Sequence, residues 1–411
     1  RLDLTPATVL GRCRRAYIAG ALGALCGRFR VSGLPVVEGD GTLVGAQAIG
    51  LEYALAAYHV GVMGVLAICL GSLFWVMLFH MFSATWSVTL RRQFENVMRA
   101  MWLCLILILP IMILEVASNG VLFTWMDLEH VAHDPIYQHK SGYLNVPFFL
   151  LRLAIYFTLW LTLVRKFWTW QRKQDETGDR WLSNKARFTS AWGLVVFGIT
   201  VAFAAFDWIM SLDYHWFSTM FGVYAFAGLF QSTLAFLVLL VIYCMKKGVL
   251  TGYVDENHLH DLGKFLFAFT VFWAYIAYSQ FMLIWYANLP EETVFFIHRM
   301  HGGWLWVSAS LIVFKFIVPF LALLPQRAKR NPNHLASVAV LILIMQYVDF
   351  YWLVYPNLDS HHVVFSIFEV LVWLGFGGAF LMTTFRFLSK NAIIPRKDPR
   401  QAESNHHHVV Y

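Results

Sequence analysis

From Tyr58 to Val88 the chain carries no Asp, Glu, Lys or Arg, and comparable apolar runs follow it almost to the carboxyl terminus. Crossing a ~30 Å hydrocarbon layer takes ~20 apolar residues, and only a helix or a closed barrel satisfies its own backbone there. Barrel strands are ~9–11 residues long, far shorter than these runs. The pattern therefore predicts an all-α integral membrane protein of about ten transmembrane helices packed as bundles. The expected spans lie near 10 to 28, 58 to 88, 97 to 118, 147 to 169, 190 to 212, 218 to 245, 262 to 287, 302 to 324, 334 to 355 and 364 to 387. Composition agrees: 59% of residues are hydrophobic and 13% charged, against roughly 45–50% and 25% in soluble domains. The first span is short and follows Arg12, Arg14 and Arg15, as a secretory signal would. Leu25 before Cys26 and Arg28 after it disfavour cleavage, so it is read as a span.

The net charge of +7 does not point to nucleic acid, because the basic residues sit in short clusters between apolar runs rather than along one face. They read instead as topology signals. Most of the 31 Lys and Arg fall at the two ends and after even-numbered helices, as in Arg91-Arg92, Lys246-Lys247, Arg327 to Arg330 and Arg396-Lys397. Cytoplasmic loops carry such an excess, so both termini are expected in the cytoplasm. The longest loops, 119 to 146 and 170 to 189, are too short to bury cores of their own, leaving one polytopic domain over 1–411. The five cysteines form no CxxC pair, which disfavours a thiolate metal or iron–sulfur site. His80 alone among the histidines lies well inside a span, whereas His59, His298, His301, His361 and His362 fall at outer ends or loops. Haem ligation by facing histidines is not expected, and the chain is expected to bind no cofactor of its own except possible quinone or quinol.

Ionisable residues within spans each cost ~2.5–3.5 kcal/mol at a helix centre unless paired or neutralised. Glu115, Asp207, Asp349 and Glu369 are expected in the outer third of four different helices, with Arg152 and Arg299 as available partners. His80 and Lys315 are expected on the middle-to-inner side. His80, Ser83 and Ser87 recur at i, i+3 and i+7, one helical face that could line a hydrated entry toward Lys315. Together the six outline two half-paths for protons. The competing reading is that these acids bond to backbone or to Trp and Tyr donors and only fix helix packing. A quinone head group would want a polar donor beside an apolar slot, and Asp207, Trp208, Asp213 and His215 are the nearest set at the outer side.

With the paired Arg91-Arg92 after His80 in HMFSATWSVTLRR in agreement, two long segments carry a family resemblance: AFDWIMSLDYHWFSTMFGVYAFAG from Ala205 to Gly228, and LGKFLFAFTVFWAYIAYSQFMLIWYANLPEE from Leu262 to Glu292. They are similar to stretches of the F subunit of alternative complex III, within the wider NrfD-like family that includes the membrane subunit of polysulfide reductase. The resemblance runs from about 58 to 390. It implies a multi-pass subunit of a bacterial inner-membrane complex that oxidises quinol. Its expected partners are lipids, an NrfD-like sister subunit, an iron–sulfur subunit and c-type cytochrome subunits. The clusters and c-type haems would belong to those partners, and the sister subunit would be the better candidate for the quinol site. A secondary transporter and a purely structural anchor are the rival readings.

Overall fold

A computed structural model describes residues 50–405 and, ahead of them, the backbone of one short antiparallel strand pair, Val36–Val37 with Leu43–Val44. The expected first span, 10 to 28, lies outside the described residues. Among those described, nine helices are long and apolar enough to cross a membrane. They are α1 (Leu51–Met81), α2 (Val88–Ala117, with a turn at Arg99 and Ala100), α3 (Val146–Thr177), α4 (Arg180–Leu212), α5 (Phe221–Lys246), α6 (Glu256–Ala287), α7 (Trp304–Leu323), α8 (Pro332–Asn357) and α9 (Ile367–Lys390).

Local chemistry sets most boundaries. The side chain of Asn145 accepts from the Phe148 amide at the start of α3, and Pro147 fits the first turn, where no backbone donor is needed. Asp179, Asp255, Asn331 and Ser366 cap α4, α6, α8 and α9 in the same way. Gly178 stops α3 at a φ of 72°, a left-handed conformation that costs glycine nothing. At the far end of α6, Asn288 takes φ 50° ahead of Pro290.

Two of the expected helix boundaries need correction. The stretch 170 to 189, expected as a loop, is a helical hairpin in which only Gly178 and Asp179 interrupt α3 and α4. Span 58 to 88 is displaced: α1 starts at Leu51 and ends at Met81, and Ser83 adopts φ 51°. The helical face of His80, Ser83 and Ser87 therefore does not exist. Ser87 instead donates to the Ala84 carbonyl within the turn.

α1 and α5 form the centre of the bundle. α1 packs against α2, α4, α5, α8 and α9, while α5 packs against α1, α4, α6 and α8. α7 touches only the α6 and α8 side and is the span most exposed at its surface. The α1–α5 approach depends on Gly71, where a Cβ would lie 2.0 Å from the Thr233 hydroxyl and 3.0 Å from the Leu229 carbonyl. Close backbone approach at small residues is how helices associate without a hydrophobic driving force.

The helix ends that carry the basic clusters share one end of the bundle: Arg92 meets Asp175, Lys246 meets Asn333, and Arg330 meets Asn257. Arg91 and Arg92, expected in a loop, lie inside α2 and are buried. Arg91 binds Glu95 at 3.1 Å and Asp398 of the carboxyl-terminal tail at 2.6 Å, while Arg92 binds Asp175 at 2.6 Å. The substitution Gly71→Leu should overpack the α1–α5 contact and destabilise the fold by ~1–3 kcal/mol, read as a lowered thermal midpoint in detergent.

Candidate functional site

The buried ionisable residues fall into separate groups, and one of them joins two of the expected positions. Lys315 and Asp349 form a salt bridge of 2.5 Å between α7 and α8, with side chains 0% and 2% exposed. The other Asp349 oxygen accepts from the Tyr224 hydroxyl of α5. Lys315 also donates to the Gln346 carbonyl oxygen at 3.0 Å and lies 4.3 Å from the centre of the Trp273 ring of α6. Four helices thus meet at one charge pair. Lys315 was expected nearer the inner side than Asp349, but their contact puts them at the same depth.

The backbone is unusual where Lys315 sits. Residues Leu311–Ile317 of α7 are π-helical, a conformation that is rare and frequent at functional sites. It is followed by Pro319, whose ring cannot be accommodated in an ordinary helical ladder. No apolar periodicity announces a π segment, so this feature was illegible in the sequence.

A cavity of about 580 Å³ adjoins the pair and opens on the lateral surface between α6 and α7. Its walls are mainly apolar, including Val271, Phe281, Phe296 and Ile312, with Tyr224, Gln280 and Arg299 as polar members. Gln280 is buried and its side-chain oxygen has no hydrogen-bond partner. Tyr224 is common to the cavity wall and the Asp349 contact. Tyr275 and Tyr278 line the cavity from the exposed face of α6.

Arg299 stands at one end of this cavity, on the helix Pro290–Met300. It donates to the backbone carbonyls of Phe295, Trp352 and Leu353 and, among the described residues, has no carboxylate in salt-bridge contact. Burial pushes its guanidinium down to about 9, with Asp213 and then Tyr224 acting in the opposite direction. It remains charged at neutral pH, with the Asp213 carboxylate as the nearest opposing influence.

The other expected site residues are placed apart. Asp207 makes a two-pronged contact with Arg152 at 2.8 and 2.9 Å and accepts from Tyr156 at 2.8 Å. Glu115 accepts from the amides of Leu122 and Phe123, closing the end of α2. Glu369 belongs to the capping box of α9, accepting from the Ser366 amide at 2.7 Å and from Tyr355 at 2.7 Å. His80 pairs with Gln171 at 2.7 Å, and Gln171 in turn accepts from Arg91. His80 and Lys315 have no partner in common.

The set Asp207, Trp208, Asp213 and His215 does not form one site. Trp208 is buried among Tyr156, Phe157 and Trp160. Asp213 and His215 line a separate cavity of about 540 Å³ at the bundle end opposite the basic clusters, together with His298 and Glu291. There Asp134 takes hydrogen bonds from Tyr214 at 2.8 Å and His215 at 2.7 Å. The Tyr214 bond is the main reason the Asp134 carboxyl is held at about 2. That depressed value means the contact favours folding above the ordinary carboxylate range, and its contribution fades as pH falls toward 2. His59, expected at a helix end or loop, is fully buried in α1 and bonds the Trp208 carbonyl at 2.7 Å.

The fold and these clusters define a polytopic helical membrane protein with a buried cation–carboxylate pair beside a lateral cavity. Comparison with protein-family models and with curated proteins finds no match for this chain.

Breaking a buried pair strands the remaining charge, at a cost of ~3–5 kcal/mol, whereas replacing both partners with apolar residues is far cheaper. Arg152→Leu alone should therefore lower the thermal midpoint more than the double substitution Arg152→Leu with Asp207→Leu, measured side by side in the same detergent.

Proposed function

We propose that this chain is an integral membrane subunit of a respiratory quinol-oxidising electron-transfer complex of the alternative complex III type, contributing a proton-exchange site rather than an electron centre. The quinol and electron chemistry in this reading rests on the resemblance of residues 205–228 and 262–292. The contribution of the chain itself rests on one observation: the buried Lys315, Asp349 and Tyr224 contact on a π-helical segment, one wall away from a cavity open at the bundle's side.

In a low-dielectric interior, loss of charge on either partner leaves the other exposed to its full desolvation penalty, so a proton moved at one is felt by the other. Tyr224 can pass a proton between Asp349 and the cavity. Beyond it, the fixed charge of Arg299 and the carboxylate of Asp213 lead toward the outer end. Asp207, Glu115 and Glu369 are engaged in interhelical or end-capping bonds, which favours a supporting role for them over a path through all six residues. His80 belongs to the opposite end and would serve, if protons move there, a separate inner segment with Gln171 and Arg91.

A second quinone-interacting surface is best placed at the lateral cavity. It combines apolar walls with the free Gln280 oxygen and the Tyr224 hydroxyl, a mix suited to a ring carried on a hydrocarbon tail. Iron–sulfur clusters and c-type haems belong to partner subunits in this reading, the membrane is the bacterial inner membrane, and the basic end of the bundle faces the cytoplasm.

The test is native purification in mild detergent, with subunit identification and quinol-dependent haem reduction, followed by Lys315→Met and Asp349→Asn. Assembled complex with proton uptake and turnover reduced at least about tenfold is expected. Unchanged turnover in both variants would leave the chain as a structural anchor, and a colourless protein without partners would favour the transporter reading.

A further inference from the structure

At the basic end of the bundle, α2, α3 and α9 meet the tail segment 391 to 396 around a pocket of about 280 Å³. Four cations, Arg92, Arg172, Lys390 and Arg396, line it against two acids, Asp175 and Glu176. Asp175 is already committed: both its oxygens take the Arg92 guanidinium, and one also accepts the Arg396 amide at 3.0 Å. Arg92 is 1% exposed, and its Nε is buried without a partner. Among the described residues, Arg172, Lys390 and Arg396 make no salt bridge, so positive charge is left over.

Arg99 extends this charge along α2. Its guanidinium lies 3.9 Å from the ring centres of both Trp168 and Phe387, with one terminal nitrogen buried and unpartnered. Three residues beyond it begins an exposed apolar stripe, Trp102, Ile106, Leu109 and Ile113, spaced at i, i+4, i+7 and i+11 on one helical face.

We infer that this pocket binds the phosphate of an anionic diacyl phospholipid, with an acyl chain laid along the α2 stripe. The excess positive charge selects a head group with net negative charge over a zwitterionic one, whose own cation would meet Arg172 and Lys390. The stripe separates a lipid from free phosphate, which would gain nothing from Trp102 or Ile106. This assignment is independent of the proton site, which lies on other helices.

The test is native mass spectrometry and thermal unfolding of the purified protein, with any partner subunits retained. It would be stripped of lipid by detergent exchange and then given phosphatidylglycerol, phosphatidylcholine with the same acyl chains, or inorganic phosphate. Retained phosphatidylglycerol adducts and a raised midpoint are expected with that lipid alone. Arg172 and Lys390 are both exposed, so Arg172→Gln with Lys390→Gln should keep the detergent midpoint of the native chain. It should weaken phosphatidylglycerol retention roughly 10- to 30-fold. Equal retention of phosphatidylcholine, or a double variant that holds phosphatidylglycerol as tightly as the native chain, would overturn the assignment. Protection by inorganic phosphate as strong as that by phosphatidylglycerol would overturn it in favour of a free-anion site.

Discussion

A charge placed among apolar helices has to find its counter-charge or its hydrogen bonds inside the bundle, because no solvent is there to supply them. That constraint organises this protein. Arg152 of α3 meets Asp207 of α4, Lys315 of α7 meets Asp349 of α8, and Arg91 of α2 meets Asp398 of the tail. Such pairs add little net stability, since the desolvation penalty offsets much of the attraction. Their effect is on register: sliding one helix by a turn would strand two charges at once. Glu115 and Glu369 meet the same constraint differently, by satisfying backbone amides at helix ends.

The central pair of helices supplies the geometry on which these contacts depend. Gly71 brings α1 and α5 close enough for Thr233 to reach the carbonyls of Ala67 and Ile68. With α5 held against α1 and α8, Tyr224 reaches Asp349 from one side while the π-helical turn of α7 presents Lys315 from the other. The lateral cavity forms where α7 contacts only part of the bundle, so its opening follows from the loose outer position of that helix.

Much of the frame was legible in the chain, because apolar run length and basic clustering are local quantities that the solvent reads one segment at a time. Helix ends were less so: apolarity from 58 to 88 continues through Trp86, yet Ser83 turns the backbone out of the helix. The hairpin at 170 to 189 was hidden for the opposite reason, since polar residues form helix there outside the apolar runs. Among the acids, depth alone could not separate Glu369, which caps its helix, from Asp349, which holds a lysine across a helix boundary. His59 and the buried Arg91–Arg92 pair were misplaced because burial of a polar group depends on what packs over it.

The sequence by itself determined that the chain lies in a membrane, roughly where its helices run, which ends gather the positive charge and which residues are chemically conspicuous. Those follow from the transfer energies of individual segments. Tertiary structure alone decided that Lys315 meets Asp349 while His80 does not meet Lys315, that Asp207 is committed to Arg152, and that cations from α2, α3, α9 and the tail share one pocket. Pairings of that kind depend on the relative rotation and depth of helices far apart in the chain, which side-chain packing sets and no single segment encodes.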